Sequence, residues 1–388
     1  MREFAISIYL LGFKLLFSIF KLFPLKNKVT FLISFSENFF YIYEEMEKQN
    51  INIQTIFLCN PRTFPIFEKM GVPTYLLETT DTTQAIKNIY HLATSKHIIA
   101  DNYYGLLAAT KFKRAVTCTQ IWHSVGAIKQ FGALDPTNST RTAAANKRFH
   151  KVYNRFDQFV IGSDFMGDIF KKAMPAPNAT FLKTGVPRTD FFFNEARHEE
   201  ARQYFHRINP FLSNKKIILY APTFRNDEKS NDIIPLDLKK MHTAFRDDYI
   251  LIVKRHPASI WKLDEMTRMP YFGFLFDYSN DPYVNDLLVL ADILITDYSS
   301  LPMEFIFRKK KMIFYAYDLE SYQLEAGLWE DYESSVPGPV VRDTDEVIEA
   351  VLDAEIDHSQ FDDYAKKWIQ YCDGKSSERL VKKLFAND

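Results

Sequence analysis

Short apolar runs alternate with amphipathic stretches along most of the chain, and this alternation predicts a layered α/β protein. The apolar runs are rich in Val, Ile and Phe and have the length of buried strands. They predict strands at 29–34, 53–58, 97–100, 117–122, 158–161, 216–220, 249–253, 293–296 and 312–315. Stretches between them, such as 39–49 and 83–93, have the period of an amphipathic helix. Strands that alternate with helices predict parallel sheets with crossover connections.

A charged, weakly apolar stretch between Asp190 and Asn209 interrupts the alternation. It predicts a boundary between an N-terminal domain at 25–195 and a C-terminal domain at 196–388, and two domains are the number expected for 388 residues. Two α/β domains that face each other leave a cleft at the carboxyl ends of their strands, where open sheets bind ligands. We therefore expect the functional residues to follow directly after predicted strands.

Residues 1–24 differ from the rest of the chain because they are almost entirely apolar and aromatic. Lys14 interrupts this run, which disfavours a helix that spans the bilayer. Lys14 and Lys21 are two helical turns apart and share one face, and apolar residues recur at helical spacing on another side: Ile8, Leu11, Leu15, Ile19 and Leu22. The pattern predicts an amphipathic helix in the plane of a membrane, with its lysines toward anionic headgroups. The alternatives are a spanning helix and a helix packed on the protein body.

Composition and charge exclude several classes of function. Hydrophobic residues make up 47% and charged residues 25% of the chain, and the formal net charge of −1 gives no basic excess for binding nucleic acid. The three cysteines are far apart, so neither a disulfide framework nor a cysteine zinc site is expected. No GxGxxG or GxSxG motif is present, and the glycine that a P-loop ending at Lys375 requires is replaced by Ile369.

The strongest local signal is a predicted strand that ends at Thr296 and is followed by a turn with two serines. A helix is predicted to begin near Ser300, so that Ser299 and Ser300 cap it and its free N–H groups form an anion site. Glu304 lies one turn further on the same face, where its carboxylate can accept hydrogen bonds from sugar hydroxyls. A capped helix with an exposed glutamate is the structural alternative.

Cationic and hydroxyl groups follow two other predicted strands of the C-terminal domain. Lys254, Arg255 and His256 come directly after 249–253, and a guanidinium fork and an imidazole suit the oxygens of a phosphate. Pro222 and Thr223 follow 216–220, where the threonine hydroxyl and N–H are a weaker signal of the same kind. Either segment alone is equally compatible with an ordinary solvated loop.

One histidine of the N-terminal domain stands at the end of a predicted strand. His123 follows Trp122, and the ordinary pKa of histidine, about 6.5, suits a general base that accepts a proton from a hydroxyl. Arg188, in a Gly-Val-Pro-Arg turn near the predicted boundary, adds one cation. A single histidine is more often structural, so this interpretation depends on support from the other segments.

Taken in order, seven segments resemble the CDP-glycerol glycerophosphotransferase family of teichoic acid synthesis. They are 122–123 (Trp-His), 185–190 (Gly-Val-Pro-Arg-Thr-Asp), 220–225 (Tyr-Ala-Pro-Thr-Phe-Arg), 255–257 (Arg-His-Pro), 296–300 (Thr-Asp-Tyr-Ser-Ser), 314–318 (Phe-Tyr-Ala-Tyr-Asp) and 373–379 (Asp-Gly-Lys-Ser-Ser-Glu-Arg). The resemblance implies a GT-B-like α/β fold of two Rossmann-like domains that face a central cleft. It also implies that the C-terminal domain binds CDP-glycerol, that the N-terminal domain presents the acceptor, and that no metal or other cofactor is needed.

The same resemblance implies a role for each candidate residue. His123 is expected to be the general base, and His256 is expected to hold and neutralise the pyrophosphate together with Lys254 and Arg255. Ser299 and Ser300 are expected to bind a phosphate at the start of the helix, and Glu304 is expected to bind the ribose. The full set of expected substrate-binding residues also includes Trp122, Ser124, Gly126, Arg188, Pro222, Thr223, Ser299 and Ser300.

One departure from the family pattern points to a particular branch. Polymerising members read Trp-His-Gly-Thr-Pro, whereas this chain reads Trp-His-Ser-Val-Gly at 122–126. That run resembles the primases, which add the first glycerol phosphate to N-acetylmannosaminyl-N-acetylglucosaminyl-diphosphoundecaprenol. The resemblance implies a peripheral protein at the cytoplasmic face of the cell membrane, with other teichoic acid enzymes as further partners. The alternatives are a polymerising glycerol- or ribitol-phosphate transferase, a sugar-transferring GT-B enzyme and a non-catalytic membrane scaffold.

Overall fold

The computed structural model describes residues 2–212, 215–225, 234–256, 263, 265–281, 283–353 and 357–386. The chain divides into two compact units. The first contains Met1–Val125, Gln130–Asp190 and Ile369–Asp388, and the second contains Gly126–Lys129 and Phe191–Trp368. Each unit is built on one parallel sheet, as the alternation of strands and helices predicts.

The described part of the first unit contains seven parallel strands and the helices that cover them. The strands are β1 Lys26–Ile33, β2 Gln54–Cys59, β3 Thr74–Leu76, β4 Ser95–Ala100, β5 Thr117–Gln120, β6 Gln158–Val160 and β7 Thr180–Leu182. Their order in the sheet is β3-β2-β1-β4-β5-β6-β7. The helices are α1 Arg2–Phe20, α2 Glu37–Lys48, α3 Phe64–Phe67, α4 Thr82–Thr94, α5 Ala143–Tyr153 and α6 Asp164–Ala173.

Six parallel strands form the sheet in the described part of the second unit. They are β8 Lys216–Ala221, β9 Tyr249–Val253, β10 Leu275–Asp277, β11 Ile293–Thr296, β12 Lys311–Tyr315 and β13 Val340–Val341, in the order β10-β9-β8-β11-β12-β13. The helices are α7 Glu195–Ile208, α8 Leu238–Phe245, α9 Glu265–Arg268, α10 Val284–Leu290, α11 Pro302–Phe305, α12 Leu319–Ala326, α13 Tyr332–Ser335, α14 Thr344–Leu352 and α15 His358–Trp368.

The strands predicted from apolar runs are all present, with ends shifted by up to three residues. Central strands are buried on both faces, and Phe31, Leu32 and Ile33 of β1 are completely inaccessible to solvent. Such strands are continuous apolar runs, which is why the sequence reveals them. The strands that the sequence did not predict are β3, β7, β10 and β13, each of two or three residues and each at the edge of its sheet.

The last helix, α16 (Ser376–Phe385), belongs to the first unit, whereas the sequence predicted one C-terminal domain over 196–388. Leu380 and Val381 are fully buried and pack in the same apolar cluster as Val29 and Phe31 of β1. The buried apolar face of this helix therefore completes the first sheet layer. A contiguous boundary at 195 was wrong because sequence order does not show which sheet a terminal helix covers.

Helix α1 packs one face on the first unit and presents the opposite face to solvent. Phe13 and Phe17 are buried, and Phe17 contacts Phe112 edge-on at 5.6 Å between ring centroids. The exposed apolar residues of α1 and the turn after it include Phe4, Ile8, Leu11, Leu15, Ile19 and Leu22, and the sequence placed five of these six on one side. By length and composition Glu3–Phe20 is also apolar enough to cross a membrane, and 11% of it is buried. One such helix is weak evidence for a membrane contact.

Candidate active site

His123 lies in a loop after β5, three residues beyond the end of the strand. The strand ends at Gln120 rather than at Trp122 as predicted, because Trp122 takes a left-handed conformation with φ of +58°. The Trp122 N–H donates to the side-chain oxygen of Gln120 at 2.9 Å. A left-handed conformation is costly for a bulky residue and is often found at functional sites.

The imidazole of His123 is held by two aromatic rings and one carbonyl. Its centroid lies 4.4 Å from the ring of Phe35, which is nearly parallel, and 4.2 Å from the ring of Trp122. Nδ1 lies 3.2 Å from the carbonyl oxygen of Asp101. Because a carbonyl oxygen can only accept, Nδ1 carries the proton in this contact, and the lone pair of the neutral ring is on Nε2. In this tautomer Nε2 is the ring nitrogen that can accept a proton.

The Asp101 side chain fixes the turn that carries Phe35. The carboxylate is completely buried and accepts hydrogen bonds from the N–H groups of Ser34 and Phe35, the latter at 2.6 Å, and from the hydroxyl of Tyr104 at 2.6 Å. Burial raises the pKa of Asp101 to about 7, although these hydrogen bonds favour the ionised form. Asp101 was not predicted from the sequence, although its position directly after β4 was an available signal.

Arg188 and Asn38 tie the His123 loop to other elements of the first unit. The Arg188 guanidinium donates to the carbonyl oxygen of His123 at 3.0 Å, and its backbone N–H donates to the Asn38 side chain at 3.0 Å. The Asn38 amide in turn donates to the carbonyl oxygen of Trp122 at 3.0 Å. The structure thus brings three predicted residues together (Trp122, His123 and Arg188), and the half-buried Ser124 follows in the chain.

Gly126 is required by close packing in the second unit. A Cβ atom at this position would lie 2.4 Å from the Trp368 ring and 2.5 Å from the sulfur of Met303, both far inside van der Waals contact. The following residues pair with the same unit, since the carbonyl oxygen of Ile128 accepts from the N–H of Trp329 at 3.2 Å. The chain therefore leaves the first unit two residues after His123 and returns at Gln130.

Two of the segments that carry the family resemblance hold each other in the first unit. The Asp190 carboxylate accepts from the N–H groups of Ser376 and Ser377 at 2.9 and 2.8 Å and so caps α16. The Arg379 guanidinium donates to the carbonyl oxygen of Thr184 and pairs with Asp373. The N–H groups that follow Gly-Lys at the start of α16 therefore bind a carboxylate of the protein itself, whereas in a P-loop such groups bind phosphate.

In the second unit, a buried arginine joins the ends of three adjacent strands. Arg225 donates to Asp297, which follows β11, at 2.8 Å and to Asp318, which follows β12, at 2.7 and 3.1 Å. It also donates to the carbonyl oxygen of Thr223, whose N–H is bound by the other oxygen of Asp297. Thr223 and the half-buried Pro222 after β8 are thereby fixed beside Asp297.

Three tyrosine rings lie against this arginine, and a fourth tyrosine binds its partner Asp297. The guanidinium carbon lies 4.7 Å from the ring centroid of Tyr322 and 5.2 Å from that of Tyr298, and these two rings stack at 3.8 Å. Tyr317 lies 5.5 Å from the guanidinium, and Tyr332 donates to the carbonyl oxygen of Asp297. The two carboxylates raise the pKa of Arg225 despite its burial, so the cation is permanent. The sequence placed Arg225 and Asp297 in motifs but gave them no role.

Two residues of the cationic segment after β9 make hydrogen bonds within the second unit. Lys254 is buried, and its ammonium donates to the carbonyl oxygens of Ser279 and Asp281 at 3.1 and 2.8 Å. Arg255 is buried and its N–H donates to the Ser279 hydroxyl, whereas His256 is exposed, with its ring 6.1 Å from that of Phe224. Pro257, the last residue of the Arg-His-Pro segment, lies outside the described residues.

The helix after β11 differs from the prediction. Helix α11 begins at Pro302, not at Ser300, and spans only four residues, with Leu301 as its N-cap and no side-chain cap. The Ser299 hydroxyl accepts from the N–H of Leu301 at 3.2 Å, so it supports the turn. Glu304 is 2% exposed rather than on the helix surface. The predicted cap was wrong because Pro302 sets the start of the helix.

Among the described residues, no group of three or more His, Cys, Asp or Glu side chains could hold a metal ion. The expectation that the reaction needs no metal and no other cofactor stays a prediction. The predicted cleft and the convergence of His123 with the cationic segment also stay predictions.

Comparison with known structures identifies the fold as GT-B-like. The wall teichoic acid polymerase TagF matches with a TM-score of 0.78 at 21% identity, over 100% of this chain and 98% of that chain. The sequence also matches the model of the CDP-glycerol:poly(glycerophosphate) glycerophosphotransferase family over residues 15–386, so the chain belongs to this family. It is a glycerophosphotransferase of teichoic acid biosynthesis, as the resemblance implied.

Two relatives show where the chain lies within this group of enzymes. A teichoic acid glycerol-phosphate primase of Bacillus subtilis (strain 168) is 36% identical over 92% of this chain and 91% of its own length. A teichoic acid poly(ribitol-phosphate) polymerase of Bacillus spizizenii is 30% identical over 96% of this chain but only 58% of its own length.

Proposed function

We propose that this protein is a teichoic acid glycerol-phosphate primase. It transfers one glycerol phosphate from CDP-glycerol to the N-acetylmannosamine 4-hydroxyl of N-acetylmannosaminyl-N-acetylglucosaminyl-diphosphoundecaprenol and releases CMP. The observation that carries the proposal is the similarity to a primase over nine-tenths of both chains. The Trp-His-Ser-Val-Gly run at 122–126, which departs from the polymerase pattern, supports it.

In this mechanism His123 is the general base. Its Nε2 accepts the proton of the acceptor hydroxyl while the oxygen attacks the glycerol-bearing phosphorus, and the bond from that phosphorus to the CMP oxygen breaks. The aromatic and carbonyl contacts of the ring support this role because they fix its orientation and tautomer before the acceptor binds. Phosphoryl transfer depends mainly on such positioning and on charge stabilisation.

The donor is proposed to bind at the carboxyl ends of the strands in the second unit. Arg255 and His256 neutralise the pyrophosphate, and Lys254 contributes positive charge from its place against the turn at 279–281. The remaining contacts are proposed for Pro222, Thr223, Ser299, Ser300 and Glu304. Arg225 and its two carboxylates position this region by fixing Thr223 beside Asp297.

Sizing the product of the purified enzyme tests the proposed function. With CDP-glycerol and the lipid-linked disaccharide, mass spectrometry is expected to find one added glycerol phosphate per lipid and one CMP per transfer. A ladder of longer products would instead identify a polymerase, which the 30% identity to a poly(ribitol-phosphate) polymerase keeps as the second candidate. Transfer from CDP-ribitol alone, or release of UDP from a sugar nucleotide, would contradict the proposed donor.

We also propose that α1 holds the enzyme on the cytoplasmic face of the membrane. Changing Leu11, Leu15 and Ile19 to glutamine is expected to weaken binding to vesicles that contain phosphatidylglycerol by at least about 100-fold, since each residue is more than half exposed and would bury its side chain in lipid. Flotation measures this binding. The matched control changes Ser7 and Ser18 to glutamine and should float like the original protein, whereas equal flotation of both variants would contradict the proposal.

A further inference from the structure

The environment of His123 contains a second aromatic ring that the sequence analysis did not connect with it. Phe35 follows β1, and its ring is tilted by only 18° from the imidazole at 4.4 Å. Trp122 lies at 4.2 Å with a tilt of 35°. Two rings at these separations do not fit side by side on one face, so Phe35 and Trp122 flank the imidazole from opposite sides.

Other contacts hold the Trp122 ring and the backbone of Phe35. The indole of Trp122 packs 4.6 Å from Phe131 and meets Phe170 edge-on at 5.7 Å. Phe35 is held through its backbone N–H by the buried Asp101 carboxylate at 2.6 Å. The imidazole therefore meets one ring that packs on two others and a second ring whose backbone is held in place, and this lowers the ordering entropy lost when the imidazole is held still for reaction.

Flanking rings favour the charged imidazole over the neutral one. The faces of aromatic rings carry negative partial charge and attract a cation placed over them, most strongly where water is excluded. In the described contacts of the first unit, the charged and titratable side chains that bind the His123 loop or the turn carrying Phe35 include the Asp101 carboxyl, the Tyr104 hydroxyl and the Arg188 guanidinium. In these contacts the Asp101 carboxylate accepts from the N–H groups of Ser34 and Phe35, and the Tyr104 hydroxyl donates to Asp101. The Arg188 guanidinium donates to the carbonyl oxygen of His123.

We propose that Phe35 is a positioning residue for catalysis, which with Trp122 clamps the His123 ring and stabilises its cationic form. The proposal rests on the proposed function of His123 as the base. As the acceptor O–H bond breaks, its proton passes to Nε2, the oxygen forms its bond to phosphorus, and CMP leaves with the electron pair of the broken P–O bond. The imidazolium formed keeps its Nδ1–H on the Asp101 carbonyl oxygen, and its positive charge lies between the two rings.

Substitution of Phe35 separates this role from a structural one. Phe35→Leu keeps the apolar volume but removes the aromatic face, and is expected to lower kcat about fivefold to tenfold with little change in the KM for CDP-glycerol. The apparent pKa of His123, followed by NMR of histidine-labelled protein, should fall by about half a unit to one unit. Phe35→Tyr retains the ring face and should restore both values.

A matched control and a second variant decide between the possible outcomes. Phe40→Leu makes the same change at a ring that stacks on Phe67 at 5.0 Å, and should leave kcat and the His123 titration unchanged. If Phe35→Leu behaves like Phe40→Leu, or if Phe35→Tyr is as slow as Phe35→Leu, the clamp is overturned. If His123→Ala turns over normally, His123 is not the general base, and both the proposed function of His123 and the proposed role of Phe35 are overturned. Loss of activity in His123→Ala but not in Phe35→Leu overturns the clamp alone.

Discussion

His123→Ala is expected to lower turnover by a factor of about 10² to 10⁴, the usual contribution of a general base. The described contacts of the imidazole are with the apolar rings of Phe35 and Trp122 and with the carbonyl oxygen of Asp101, and none of these three groups can act as the base in its place. Binding of CDP-glycerol should be nearly unchanged, because the proposed donor contacts belong to the second unit. Steady-state turnover and calorimetry with CDP-glycerol measure the two quantities separately.

The control for this prediction is a histidine of the same unit that has no proposed role. His150 is exposed on α5, and His150→Ala should keep both turnover and donor binding. A His123→Ala variant within about fivefold of the original turnover would refute the base. Equal losses of turnover and donor affinity would instead assign His123 to binding.

Arg225→Met is expected to destabilise the folded protein by about 3–5 kcal/mol, the range found when one partner of a buried ion pair is removed. The substitution leaves the carboxylates of Asp297 and Asp318 without the guanidinium, and Asp297 is only 2% exposed. Methionine fills much of the same space, so lost volume contributes little. Urea unfolding, followed by circular dichroism, measures the change in the free energy of unfolding.

A surface arginine provides the comparison. Arg202 pairs with Glu199 at 3.3 Å, and both side chains are at least a third exposed, so Arg202→Met should cost less than about 1 kcal/mol. Arg225→Met should also weaken CDP-glycerol binding, because the N–H of Thr223 is held by Asp297. A stable Arg225→Met variant would show that the ion pair is not needed for the fold of the second unit.

The sequence predicted the buried strands and the candidate residues at their ends, because a central parallel strand is a continuous apolar run and its carboxyl end is marked by polar residues. It did not predict Phe35 or Asp101 beside His123. These residues follow β1, β4 and β5, which are neighbours in the sheet but lie far apart in the sequence. Strand order cannot be deduced from periodicity, so the partners of His123 required the structure.

Some of the family motifs stabilise the fold of the first unit. The segments 185–190 and 373–379 are connected by hydrogen bonds of Asp190 and Arg379. Asp190 caps the helix that begins at Ser376, and the Arg379 guanidinium donates to the carbonyl oxygen of Thr184, just before the first segment. Gly185 has φ of +80°, and a Cβ atom there would lie 2.4 Å from the carbonyl oxygen of Tyr371. Resemblance in these segments therefore indicates the fold rather than the reaction.

The route of the chain has a consequence for attempts to separate the two halves. The polypeptide passes from one unit to the other at four peptide bonds, after Val125, Lys129, Asp190 and Trp368. In topological terms the second unit is an insertion in the first, so no single cut yields two autonomous pieces. A fragment that starts at residue 196 would contain α16 without the core residues that pack against Leu380 and Val381. Its last helix would expose an apolar face that favours aggregation.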